Sequence, residues 1–419
     1  MPDTQRMISD IILFICEAKT KKERLFLYDE FSPLIKNYKF VFASEDGGIP
    51  GYAFNKTFTA GGAIRSIFKT KNIWVLDPET REEMKTGSSS YKADYSIAFD
   101  TQALSYLVPY LSNKKGASIP LDFKEVFEFI AYNEVNIDPL PYYYENQKNL
   151  EDGIKVDKIY DNLKAYAVLK TLDIDWLKNR GEIRSTLQEA ELLKDAQEQM
   201  SWLYMNLNTR AKDDLSLLHL QLYCLLLKMS LLQLKYPSSE ASIYDKKMME
   251  FMDFCHLELA FIPQRETVIA HTYFKQGQKL RFFKKIQKNK SNLKSILNNM
   301  AWDLFHIRLL EKRLMIKPID SERYFFSALL TFDKDLIEIM DLCPATSCVF
   351  NINDNILLPF FKPTLQQLVQ AEEDSNFSIN NYFNHEAILS RETRMGNTIN
   401  NINNIVEQLE LEIISVSGK

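Results

Sequence analysis

Four carboxylates stand out in this chain of 419 residues, because each follows or interrupts an apolar segment. Asp100 ends Tyr95–Asp100 (YSIAFD). Asp303 lies inside Met300-Ala301-Trp302-Asp303-Leu304-Phe305. Asp333 follows Ala328-Leu329-Leu330-Thr331-Phe332, and Glu145 closes Tyr142-Tyr143-Tyr144-Glu145-Asn146. A carboxylate in such surroundings is costly unless it is solvated, paired or holding a cation. The C-terminal end of a strand is also where open α/β sheets carry their sites. Histidine chemistry has little to work with. His219, His256, His271, His306 and His385 are scattered, and neither H-E-x-x-H nor G-x-S-x-G occurs, so Ser-His-Asp hydrolysis has no support. The pair Gly61-Gly62 is not followed by a G-K-[ST] signature and is not a phosphate loop.

A second feature is basic. Lys275–Lys294 carries eight cations (Lys275, Lys279, Arg281, Lys284, Lys285, Lys288, Lys290 and Lys294) and no acid, with Phe282 and Phe283 interleaved. Such a block either neutralises phosphates while its aromatics stack unpaired bases, or is a solvated helix face with Leu280, Phe283 and Ile286 turned inward. Net charge is −5, which excludes a uniformly basic nucleic-acid coat but not this local patch. The five cysteines are far apart, and without a secretion signal they read as reduced thiols. Cys343 and Cys348 lack a second Cys/His pair for zinc.

The elements that must carry these residues follow from pattern. Tyr38–Ala43, Asn72–Leu76, Tyr95–Asp100 and Ser347–Asn351 read as strands. Thr101–Leu111 and residues 121–132 read as amphipathic helices. A strand running into an acid and then a helix is half of a βαβ unit. Asn136–Asn146 is broken by proline. Eight of the 12 glycines fall in residues 1–153, so the rest of the chain, with few turns and long Leu/Lys/Glu runs, is expected to be helical. Helices are expected at Ser185–Leu207 and Ala211–Lys235, as an antiparallel pair, and at Tyr244–Leu259, Arg265–Phe274, Ser291–Met315 and Glu322–Leu330. Glu45–Gly51 reads as turn-rich and Thr86–Ser90 as a linker. No apolar run reaches the roughly 18 residues of a spanning helix. Leu215–Leu234 comes nearest and reads as a central buried helix, which points to a cytoplasmic chain without a membrane partner.

Tyr95–Leu104 (YSIAFDTQAL) and Ser327–Leu336 (SALLTFDKDL) together resemble the opening and closing motifs of PIN-domain nucleases: a hydrophobic strand into Asp-Thr and a helix, and a hydrophobic stretch into Thr-x-Asp-x-Asp. Trp302-Asp303 is similar to the family's third acid, and Glu145 fits as the second. The resemblance implies that Asp100, Glu145, Asp303 and Asp333, with Asp335 as a supplement to Asp333 or its replacement, hold Mg²⁺ or Mn²⁺ and hydrolyse RNA phosphodiesters. Hard divalent cations prefer carboxylate oxygens, and no histidine base is then needed. Lys275, Lys279, Arg281, Phe282, Lys284, Lys285 and Lys288 are the expected nucleic-acid contacts. Gln102 departs from the Asn or Ser usual after Asp-Thr in that family. The restraint such an enzyme requires suggests a toxin or defence effector with a protein inhibitor or regulatory partner. Two alternatives stand beside it. One is a non-catalytic helical scaffold built on a degenerate nuclease core. The other is a ribonuclease of HEPN type, which Arg265-x5-His271 resembles and which works without metal.

The expected architecture is α/β, with a PIN-like parallel sheet flanked by helices. Residues 1–92 form a small mixed N-terminal module, 93–150 the first half of the core, 151–295 a helical insertion, 296–355 the second half of the core, and 356–419 an Asn-rich helical tail.

Overall fold

The computed structural model describes residues 2–45, 55–87, 93–114, 118–206, 210–314, 323–353, 356–372 and 377–418. Most of the turn-rich Glu45–Gly51, the end of the Thr86–Ser90 linker, and Met315 and Glu322 at the ends of two expected helices lie outside these residues. The protein is mixed α/β. Among the described residues, nine strands form two sheets: β1 (Tyr38–Ser44), β2 (Lys56–Thr57), β3 (Ala63–Arg65), β4 (Asn72–Leu76), β5 (Ala93–Phe99), β6 (Ile137–Asp138), β7 (Tyr324–Thr331), β8 (Ala345–Asn351) and β9 (Ile356–Phe361). One sheet runs β2-β3-β7-β5-β6 and the other β4-β1-β8-β9.

The first sheet is mixed rather than wholly parallel. β7, β5 and β6 are parallel neighbours, in register from Ala93 beside Tyr324 to Phe99 beside Leu330, while β3 joins β7 antiparallel. β7 is buried along its entire length, as expected of a strand covered on both faces. This corrects the helical reading of Glu322–Leu330: a continuous apolar run has no period, and only the neighbours of Tyr324–Thr331 select strand over helix. Alternation splits the cover. Ile97, Phe99, Ala328 and Leu330 face the helices that follow β5 and β6. Ala98 and Leu329 face the opposite core, with Leu297, Leu304 and Phe305 of the helix Leu293–Arg313.

The second sheet is antiparallel throughout. β1 pairs with β8 and β3 with β7, so the described strands of residues 1–92 are distributed between both sheets. Residues 356–361 are strand β9, not the start of a helical tail; pairing with β8 satisfies their backbone groups.

The expected antiparallel helix pair does not form as a unit. Glu189–Met205 packs on Gly153–Lys170, and Arg210–Lys235 packs on Leu293–Arg313 and on the C-terminal helix His385–Ser417. Asp214–Lys235 is in fact long and apolar enough to cross a membrane, contrary to the reading from sequence. Most of it is buried instead, with Leu225, Leu226 and Leu227 sealed in the largest core.

Candidate functional site

Because β5, β6 and β7 are parallel, their C-terminal ends share one edge of the sheet, and each leads into a helix. Asp100 directly follows β5 and caps Thr101–Ser105, accepting the Ala103 amide at 2.5 Å. Asp333 lies two residues beyond β7 and caps Lys334–Leu342, accepting the amides of Asp335 at 2.7 Å and Leu336 at 3.2 Å. Aspartate suits both positions because its oxygen satisfies amides that a helix start leaves without partners. Glu145 lies in Leu140–Asn146, the helix after β6, and accepts a hydrogen bond from the Thr101 hydroxyl. Asp303 sits midway along Leu293–Arg313, which packs against β7.

These four acids come from four separate segments and act on one another. Asp100 is buried, and burial pushes its carboxyl up to about 7; the Thr331 hydroxyl and Ala103 amide oppose that rise, and Glu145 and Asp333 add to it. Asp303 is held well above the usual carboxylate range, first by burial, then by Asp333, Glu145 and Asp100, with Lys285 opposing. Thr331 links two of the acids: it faces Asp100 and accepts the Asp333 amide at 3.0 Å. Like charges crowded away from water in this way favour a bound proton or a cation. Among the described residues, no three His, Cys, Asp or Glu side chains stand as a ready set for one metal ion. The donor chemistry nevertheless fits Mg²⁺, which commonly takes one or two carboxylates and fills its remaining positions with water and substrate oxygens.

Asp335 does not join the four. It is ion-paired to Lys284, with Arg281 Nε at 3.8 Å, and is turned toward the basic block. That block is not one helix but a series of short turns, Gly277–Lys279 and Arg281–Phe283, anchored by buried Leu280, Phe282, Phe283 and Ile286. Phe282 and Phe283 are therefore not free to stack on bases; Phe283 already stacks on Tyr273, ring centroids 3.8 Å apart. Burying two aromatic rings outweighs displaying them. Lys275 is drawn away to Glu372, at 2.5 Å. Lys279, Arg281, Lys284, Lys285 and Lys288 remain at the surface, and Lys285 is the cation felt by Asp303.

Other parts of the neighbourhood were not singled out by pattern. Thr101 and Thr331 lie inside the acidic motifs and were legible as their companions. His306, one turn after Asp303, is buried and brings Nε2 to 3.8 Å from Glu145. Its i, i+3 spacing from Asp303 was the available signal.

Arg265 and His271 go to different partners. Arg265 is buried, ion-paired to Glu311 at 2.8 Å and bonded to the Cys343 carbonyl at 2.9 Å. His271 Nδ1 meets the Tyr244 hydroxyl at 2.7 Å, and burial pushes the imidazole down to about 4. Cys343 and Cys348 are buried free thiols. Compared with protein-family models, curated proteins and solved structures, the chain matches none.

Proposed function

We propose that this chain is a metal-dependent endoribonuclease with a PIN-like core. The observation that carries the reading is the raised carboxyls of the buried Asp100 and Asp303, to which Glu145 and Asp333 both contribute, beside the C-terminal ends of three parallel strands and with Lys285 acting on Asp303. A cluster needed only for folding would gain nothing from two buried carboxyls raised by neighbouring acids, whereas a phosphodiester site needs such a cluster together with nearby positive charge. Asp100, Asp303 and Asp333, with Glu145, are the residues that would hold Mg²⁺ or Mn²⁺. The ion's contribution when bound is to polarise a phosphoryl oxygen and ease ionisation of water. The chain's own parts in the reaction are distinct. Thr101 orients Glu145, Thr331 holds Asp100 and Asp333 in relation to each other, and Lys285 with Arg281 and Lys284 attracts the phosphate backbone.

The test uses end-labelled single-stranded RNA in Mg²⁺ or Mn²⁺ and in EDTA. Products should carry 5′-phosphate and 3′-hydroxyl ends and should form only with the metal. Asp333→Ala should be silent and His271→Ala active. Cyclic phosphate ends formed in EDTA would overturn the reading. A second reading, a non-catalytic scaffold on a degenerate core, draws on the lack of a ready three-ligand set among the described residues. RNA binding without cleavage in any metal would favour it. The HEPN alternative gains no support from Arg265 and His271, which are buried with separate partners.

A further inference from the structure

An open pocket of about 440 Å³ lies between the β2–β3 hairpin, the Arg281 turn and the helix Lys334–Leu342, the helix that Asp333 caps. That volume falls in the usual range for small-molecule sites. Three cations from three segments line it: Arg65 of β3, Arg281, and Lys334. Arg65 is tied to Asp341, Nε at 3.3 Å, and Arg281 to Glu338 at 3.4 Å. Lys334 has no carboxylate partner among the described residues. The floor is apolar, from Ile337, and the rim carries Glu338 and Asp341 one and two turns beyond Lys334. Gly61 forms a wall. Its φ of 103° is in the range glycine favours, and a Cβ there would lie 2.5 Å from Lys334 Cε, so a side chain at Gly61 would displace the lysine.

We propose that this pocket binds one nucleotide unit: its phosphate on Lys334 and Arg281, with Arg65, whose nitrogens are held by Asp341, Thr57 and the Lys56 and Ile64 carbonyls, shaping the wall, its base over Ile337, and its hydroxyl or amino donors on Glu338 and Asp341. A fully basic pocket would suit any polyanion, and an apolar one any hydrophobe. Cations, an apolar floor and two acceptor carboxylates together match the three parts of a nucleotide. Lys334 follows Asp333 directly in the chain, and Arg281 donates to the Lys334 carbonyl at 3.3 Å, so two of the pocket's cations are tied to the segment that carries Asp333. Assigning the nucleotide to the substrate strand, next to the cleaved bond, rests on the nuclease reading. A free nucleotide is the other source of the same chemistry.

The experiment measures binding of a labelled six-nucleotide single-stranded RNA and, separately, of adenosine monophosphate, to the full chain and to Lys334→Glu and Lys334→Ala. Lys334 is exposed, so both variants should melt like the wild type. Losing one charge-assisted phosphate contact should weaken RNA binding about tenfold in Lys334→Glu. It should also lower the salt dependence of RNA binding by about one phosphate's share, a slope change of roughly 0.7. Unchanged RNA and monophosphate affinities in a chain that cleaves RNA would overturn the pocket and leave the nuclease reading standing. Monophosphate binding lost in Lys334→Glu, in a chain that neither binds nor cleaves RNA, would support a free-nucleotide pocket and overturn the nuclease. Binding of neither probe would overturn both.

Discussion

Asp100→Asn should stabilise the protein in metal-free buffer at pH 8. The Asp100 carboxyl is buried at the end of β5, and its pKa is pushed from the ordinary 3.8 to about 7. Below pH 4 it is protonated in both folded and unfolded chains and costs nothing. As pH rises from about 4 to about 7, the unfolded chain ionises first while the folded chain keeps its proton, so stability falls through that window. Above pH 7 the full penalty persists. Converted at about 1.4 kcal/mol per tenfold, the shift corresponds to at most about 4 kcal/mol, and hydration of the site reduces this to about 2 kcal/mol. Asparagine keeps an oxygen for the Ala103 amide, so the helix cap survives the change. The assay is urea unfolding of both proteins in EDTA at pH 4 and pH 8, followed by circular dichroism and fluorescence to test for a single transition. Comparing variant with wild type at each pH cancels His219 and His271. Burial holds both near 4, which gives the opposite trend: stability falls as pH drops below the usual imidazole range. The variant should be no more stable than wild type at pH 4 and more stable by about 2 kcal/mol at pH 8. A variant less stable by the same margin at both pH values would refute the crowded-acid account.

Mn²⁺ or Mg²⁺ at a hundred times its dissociation constant should stabilise the wild type by about 2.7 kcal/mol, visible as a raised melting temperature. Asp100→Asn or Asp333→Asn should diminish that rise, and an undiminished rise would remove these two from the metal site. Changing Lys284, Lys285 and Lys288 to Glu should weaken RNA binding alike across sequences and flatten its salt dependence. Retained affinity in a filter-binding assay would leave these lysines as partners of Asp335 and solvent alone. Gly62→Ala would press a Cβ to 2.7 Å from the Phe332 ring and 3.1 Å from Asp122 Oδ2, and should cost about 1–3 kcal/mol in an unfolding titration. A neutral result would show that the loop over Phe332 is free to move.

What the sequence determined by itself was local. Asp100, Glu145, Asp303 and Asp333 were legible because a charge inside an apolar run violates the ordinary pattern, and the strands read at Tyr38–Ala43 and Asn72–Leu76 because period-two or continuous β-branched and aromatic runs lie between turns. Tertiary structure decided everything that depended on neighbours. Tyr324–Thr331 became a strand because β5 and β3 supply hydrogen-bond partners on both sides, a fact that apolar composition cannot encode. Phe282 and Phe283 turned inward because a core was there to receive them, while Lys279, Lys284 and Lys285 on either side stayed at the surface. The partners of β1 and β3 lie about 300 and 270 residues away, at β8 and β7, so the N-terminal strands were divided between two sheets by pairings that no local window contains. The same long-range pairing brings the ends of β5, β6 and β7 to one edge with Asp100, Glu145 and Asp333, and packing of Leu293–Arg313 on β7 adds Asp303.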